Sequence, residues 1–292
     1  MSIISRFAPS PTGPLHLGHA YSAMLAYDMS QAAGGQFLLR IEDIDRDRSR
    51  PEWEALIYDD LRWLGLSWPE SVMRQSGRLG AYDEALDKLW EMGLLYPCSC
   101  TRRDIAQALS APQEGVSFGP DGPIYPGTCR PSAPLTGPRP NEVLRLDMAR
   151  AAAWIEQRTQ LTSLHFSETG DQADQFCTDL PLSRLAARCG DIVLARRGMG
   201  TSYHLSVVVD DAAQSVTHVV RGSDLGPATI LHVCLQKLLG LPTPTYHHHR
   251  LIRDETGKRL AKRDDARAIR LYRDEGASPA ELRKWLSLPL AP

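Results

Sequence analysis

Two histidines flank a glycine near the start of the chain, His16-Leu17-Gly18-His19, directly after the turn-forming run Pro9-Ser-Pro-Thr-Gly-Pro14. An apolar stretch precedes the turn and an Ala-, Met- and Leu-rich stretch follows it. The turn therefore reads as the junction between a strand over 2–7 and a helix from His16 to about Ala33. A helix N-terminus offers unpaired N–H groups and the positive end of the helix dipole, both suited to phosphate. Gly18 leaves room for a flat ring to approach the backbone. His16 and His19 can donate hydrogen bonds to oxygens that gain charge during transfer at a phosphorus atom. The bland alternative is a surface loop with two ordinary histidines.

Three further groupings carry chemistry. Arg6 ends the first strand and could fork a carboxylate, and Glu42 ends the second, where open α/β sheets place ligand groups. A mutual Arg6–Glu42 ion pair is the alternative. Cys98 and Cys100 are followed by Tyr125 and Cys129. Three thiolates at this spacing suit a structural zinc, whose fourth ligand must be an oxygen donor, a residue from elsewhere or water. Tyr125 is placed to supply a phenolate; three packed free thiols are the alternative. The stretch 253–273 is the one marked basic patch, with Arg259, Lys262 and Arg263 at its centre. Such a cluster serves either as a solvated helix face or as a mobile cation that holds a leaving phosphate.

The elements that must position these groups follow from the patterning. Phe37–Ile41 reads as a second strand, so strand, helix and strand form a βαβ unit with parallel pairing. Helices are expected over 51–65, over 80–92 and, after Pro227, up to Leu239, where Gly240 closes the last. Val207–Val209 and Val216–Val220 read as buried strands, and 278–287 as a short helix. Residues 110–141 are rich in proline and glycine and need an external brace, which gives a metal a physical purpose. The expected class is α/β: a Rossmann-like parallel sheet interrupted by a zinc-bearing insertion, with a short helical C-terminal segment. The expected divisions are 1–97 and 189–250 for the two sheet halves, 98–188 for the insertion, and 251–292 for the basic loop and terminal helices.

With 292 residues, 42% hydrophobic and 23% charged, the chain has the make-up of a globular protein with a substantial core. A formal net charge of −2 means any nucleic-acid partner must be met by a local patch. Six cysteines are too sparse for a disulfide scaffold. No apolar run spans a bilayer and the start does not read as a secretory signal, so a cytoplasmic protein without a membrane partner is expected.

Taken together, Ala8-Pro-Ser-Pro-Thr-Gly-Pro-Leu-His-Leu-Gly-His19 resembles the HIGH region of class I aminoacyl-tRNA synthetases in its glutamyl-tRNA synthetase form. Arg40–Glu52, Val207–Leu225 and Arg259-Leu-Ala-Lys-Arg263 are similar to later segments of that family, the last to its KMSKS loop. Lys262 matches that loop's second lysine, while Arg259 and Ala261 replace the first lysine and the serine. The resemblance implies ATP, with Mg2+, held by His16, Gly18, His19, Arg259 and Lys262. It implies L-glutamate held by Arg6, Phe7, Ala8, Pro9, Ser10, Glu42, Tyr203 and Arg221, with Glu42 on the amino group. For Tyr203 simple packing is the alternative.

Only 29 residues follow Arg263, too few for the large helical anticodon-binding portion of a full glutamyl-tRNA synthetase. The shortened form, with its Cys-x-Cys and Tyr-x-x-x-Cys arrangement, resembles the glutamyl-queuosine tRNA(Asp) synthetase branch. That branch implies a monomer that forms glutamyl-adenylate and passes glutamate to queuosine in the anticodon of tRNA(Asp). The rival expectations are a stripped synthetase charging a tRNA 3′ end and a non-catalytic, zinc-containing RNA-binding paralogue.

Overall fold

The computed structural model describes residues 2–109, 117–171, 173–253 and 267–289. In chain order, β1 (Ile4–Phe7), α1 (Leu17–Ala32), β2 (Gln36–Ile41), α2 (Pro51–Trp63), β3 (Met73–Arg74) and α3 (Leu79–Glu91) come first. Then follow β4 (Leu95–Pro97), α4 (Arg102–Leu109), β5 (Phe118–Gly119), β6 (Gly122–Pro123), β7 (Leu144–Leu146), α5 (Met148–Thr159) and β8 (Ser163–His165). Next are β9 (Asp179–Pro181), α6 (Leu182–Cys189), β10 (Val193–Ala195), α7 (Tyr203–Ala213) and β11 (His218–Gly222). The chain continues through α8 (Thr229–Leu239), β12 (Thr245–His249), α9 (Ile269–Asp274) and α10 (Pro279–Trp285).

The N-terminal βαβ unit forms as the pattern predicts. β1 pairs parallel with β2, Arg6 opposite Leu38, and β2 pairs parallel with β3. Pro51 opens α2, where its missing N–H leaves nothing unsatisfied. Gly240 closes α8 in the left-handed conformation that glycine adopts without strain. A Ser278–Glu281 capping box starts α10.

Two expectations change. Val207–Val209 are not a strand but the middle of α7, whose N-cap Ser202 accepts from the Leu205 N–H. That helix is buried on most sides, so it shows no polar stripe, and an apolar run of this length does not separate helix from strand. The expected single parallel sheet is also divided. β11 and β12 pair parallel with each other, in register from His218–Thr245 to Gly222–His249. β1 lies beside β11 through the Thr217 N–H to the Ile4 carbonyl at 2.9 Å, but the Ile4 N–H is taken by the Thr217 hydroxyl. The result is an α/β fold of mixed sheets. Its antiparallel part is β10–β7–β4, with hairpins β5–β6 and β8–β9.

The core has two main parts. One packs α1 and α2 on β1 and β2 through Met24, Phe37, Leu39, Ile57 and Leu61, and Ile269 and Leu282 of the last two helices join it. The other packs α3, α5, α7 and α8 around the antiparallel sheet. No helix among the described residues is long and apolar enough to cross a membrane.

Candidate active site

The turn after β1 and the start of α1 form a cap built by the two histidines. His16 is the N-cap; its Nδ1 accepts from the Gly18 N–H at 3.1 Å. His19 returns the contact, its Nδ1 accepting from the His16 N–H at 3.1 Å, with the rings 3.7 Å apart. With both Nδ1 atoms acting as acceptors, the proton of each neutral ring sits on Nε2. A Cβ on Gly18 would stand 3.0 Å from the His16 ring, tighter than ordinary packing, and glycine avoids that contact. Beside it, the Ile269 N–H meets the Leu15 carbonyl at 2.8 Å and Ala268 bridges His16. The chain that follows the basic loop therefore returns to the cap. Arg259 and Lys262 themselves lie outside the described residues.

The cap opens on a cavity of about 410 Å³ that brings together Arg6, Phe7, Ala8, His16, Gly18, His19, Glu42, Tyr203 and Arg221. Ser22, Asp224 and His249 join its wall. Pro9 and Ser10 are not in that wall. Pro9 instead fixes the neighbouring strand end, its carbonyl accepting the Glu42 N–H at 3.0 Å.

Behind the cavity lies a network of buried charge that sequence reading missed. Arg6 and Glu42 do not pair with each other. Arg6 donates from Nε and Nη2 to the two oxygens of Asp211, at 2.9 and 3.3 Å. Arg40, fully buried in β2, donates to Asp211 at 2.7 Å, to Glu42 at 3.2 Å and to the Gln214 side chain at 3.0 Å. Asp210 accepts from Gln75, Arg78 and Tyr82. Burial raises the Asp211 carboxyl, but Arg6 and Arg40 outweigh it and hold the group below the usual carboxylate range. For Glu42 the balance reverses: burial pushes it up, against Arg40 and Arg6.

Arg221 is different. Its Nε donates to His248 Nε2 at 3.0 Å and Nη1 to His232 Nδ1 at 3.1 Å. Its Nη2 reaches the Thr229 hydroxyl at 2.8 Å and the Leu225 carbonyl at 3.3 Å. It also lies over the Tyr246 ring at 5.2 Å. Every one of these partners is neutral, so Arg221 faces the cavity with its charge uncompensated by direct contact. Tyr203 walls the same cavity, and burial raises its phenol.

The cysteine group is also assembled. The Sγ atoms of Cys98, Cys100 and Cys129 lie within 4.8 Å of one another, a cluster able to hold a metal ion. The Tyr125 hydroxyl is 3.5 Å from Cys98 Sγ and 3.3 Å from Cys100 Sγ, and accepts the Cys129 N–H at 2.8 Å. Arg145, not foreseen, stacks 3.8 Å over the Tyr125 ring and donates to Cys98 at 3.2 Å. Hydrogen bonding from Tyr125 lowers the Cys129 thiol to about 6. Cys189 and Cys234 are buried core residues and Cys177 is exposed.

Comparison with known proteins agrees with this geometry. Residues 2–117 and 172–289 match the profile of the tRNA synthetases class I (E and Q), catalytic domain. The glutamyl-Q tRNA(Asp) synthetase of Rhodobacter capsulatus is 60% identical over 286 residues, covering 98% of this chain and 100% of that protein. The glutamyl-Q tRNA(Asp) synthetase of Geobacter sulfurreducens is 41% identical, covering 93% and 79%. The crystal structure of a glutamate tRNA ligase from Elizabethkingia meningosepticum superposes with a TM-score of 0.72 at 25% identity, over 98% of this chain and 60% of that one. The chain belongs to the glutamyl-Q tRNA(Asp) synthetases, a family built on the class I catalytic domain.

Proposed function

We propose that this enzyme activates L-glutamate with ATP and transfers it to the queuosine base at the anticodon wobble position of tRNA(Asp). The observation that carries the reading is the single cavity in which the histidine cap meets Glu42 and the uncompensated Arg221. In the first step the glutamate α-carboxylate attacks the α-phosphorus of ATP, giving glutamyl-adenylate and pyrophosphate. His16, Gly18 and His19 receive the nucleotide, with the Nε2–H groups facing charge that grows on phosphate oxygens. Arg259 and Lys262 hold the departing phosphates. Mg2+ bound with ATP would offset part of the charge on those phosphates.

Glu42, with Arg6, Phe7, Ala8, Pro9, Ser10 and Tyr203, receives glutamate, its carboxylate meeting the substrate amino group. Arg221 takes the side-chain carboxylate. The fork of Arg6 is already engaged by Asp211, so its part is to shape the pocket. In the second step a hydroxyl of the queuosine cyclopentenediol attacks the adenylate carbonyl; an ester forms and AMP leaves. Positioning supplies most of this step.

Cys98, Cys100, Cys129 and Tyr125 would hold one zinc. The donor set fits: three thiols and a phenol converge, the Cys129 thiol is poised to ionise, and Arg145 offsets negative charge beside Cys98. Its chemistry there is structural, bracing the proline-rich segment. The divisions 1–97, 98–188, 189–250 and 251–292, a Rossmann-type reading of the parallel strands, and a cytoplasmic monomer belong to the same proposal.

The test uses labelled glutamate, ATP and queuosine-containing tRNA(Asp), followed by removal of the 3′-terminal nucleotide. Label that stays on the trimmed tRNA supports the proposal. Label lost with the terminus refutes it in favour of 3′ charging. Absence of both labelling and glutamate-dependent pyrophosphate exchange refutes catalysis.

A further inference from the structure

Arg221 is held from both sides by histidines, and the hydrogen bonds fix the tautomer of each. Arginine only donates, so His232 Nδ1 and His248 Nε2 must accept. His232 then carries its proton on Nε2 and donates to His204 Nδ1 at 3.1 Å. His204 in turn donates from Nε2 to Asp121 at 3.3 Å. On the other side, His248 donates from Nδ1 to Glu168. Glu168 is fixed by the His248 N–H at 2.9 Å and the Gly170 N–H at 2.8 Å. Every proton points away from Arg221, and the carboxylates stand at the far ends. All three imidazoles are buried. Burial and the Arg221 charge both hold His232 below its usual range, so it is neutral near pH 7.

An aspartate or glutamate that accepted from Arg221 in the place of either histidine would also neutralise it. Arg6 and Arg40 are held in that neutralising way, by Asp211 and Glu42. We propose that His232 and His248 are specificity-determining positioning residues: they orient Arg221 through neutral acceptors, keep its countercharge an imidazole away, and thereby select a substrate carboxylate over a carboxamide. This rests on the reading that Arg221 meets the substrate side chain. The selection is of glutamate against glutamine, which have the same shape and differ by one charge.

Isosteric replacements isolate that charge. His232→Glu and His232→Gln match in shape and differ in charge, the amide keeping a carbonyl oxygen that can accept from Arg221, as do Thr229→Asp and Thr229→Asn at another Arg221 contact. Binding of L-glutamate and of L-glutamine to the full chain is measured by calorimetry, with circular dichroism as the folding control. The acidic member of each pair should have a glutamate-to-glutamine affinity ratio about tenfold or more below that of its amide partner, the size of a lost charged contact. Equal ratios within a folded pair, or wild-type protein that binds glutamine as tightly as glutamate, overturn the inference alone. Wild-type protein that binds no glutamate overturns the underlying reading of the site as well. If one acidic variant does not fold, the other pair decides.

Discussion

Asp211→Asn is the sharpest test of how the pocket is built. Asp211 accepts from Arg6 at 2.9 and 3.3 Å and from Arg40 at 2.7 Å, and it is 7% exposed. Asparagine keeps the volume but removes the charge, and its amide turns a donor toward one of the two guanidinium groups. Arg40 would keep Glu42 at 3.2 Å and Asp210 at 4.0 Å, whereas no other ion pair to Arg6 is present among the described residues. Leaving a buried charge without its partner costs about 3–5 kcal/mol. For a domain of this size that lowers Tm by roughly 6–20 °C, at about 2–4 °C per kcal/mol.

Asp87→Asn supplies the contrast, because Asp87 pairs with Arg139 at a similar 2.6 Å but is 54% exposed on its side chain. Its loss should cost less than about 1 kcal/mol. Urea titration followed by circular dichroism measures both. The sign with pH follows from the lowered Asp211 carboxyl: its contribution is full above its unfolded value of about 3.9 and is lost as pH falls through the lower folded value. The gap between wild type and Asp211→Asn should therefore be wide at neutral pH and close in acid. An Asp211→Asn cost within 1 kcal/mol of the Asp87→Asn cost would refute the buried-network argument.

Other outcomes follow from the same geometry. Glu168 is held down at about 2 by His248 and backbone N–H groups that outweigh its burial. It should contribute on the order of 3 kcal/mol above its unfolded value, lost as pH falls from about 4.3 toward 2. Glu168→Gln should lack that acid limb in a stability-against-pH curve. Cys129→Ser should reduce bound zinc, measured by elemental analysis, from one per chain to a small fraction, with a fall in Tm of the whole protein; unchanged zinc content would remove Cys129 from the ligand set. Lys262→Ala should slow glutamate-dependent pyrophosphate exchange about 10²–10³-fold, as loss of a transition-state contact does. Unchanged exchange would end its assigned role.

What could be read from the sequence was local, and what could not was mostly distant. His16, Gly18 and His19 are within one helical turn, and their cap follows from that spacing. Cys98, Cys100, Tyr125 and Cys129 lie in one segment, with Pro and Gly between them that need a brace. Asp211, the partner shared by Arg6 and Arg40, lies 205 and 171 residues from them, where no spacing rule reaches. The misplacement of Val207–Val209 hid it further, because a strand there gives Asp210 and Asp211 no inward face to share. Yet one signal was present in the pattern. Arg6 and Arg40 each sit inside a strand with apolar neighbours, and a buried guanidinium, which cannot shed its charge, needs hydrogen-bond acceptors. Two such arginines on adjacent strands call for acceptors behind the sheet, and the Asp210-Asp211 pair at the end of an apolar run is a candidate source. Asp211 meets both arginines, while Asp210 turns to Gln75, Arg78 and Tyr82. The helical geometry of α7, with consecutive side chains about 100° apart, lets both carboxylates be buried at once, where a strand would send them to opposite faces.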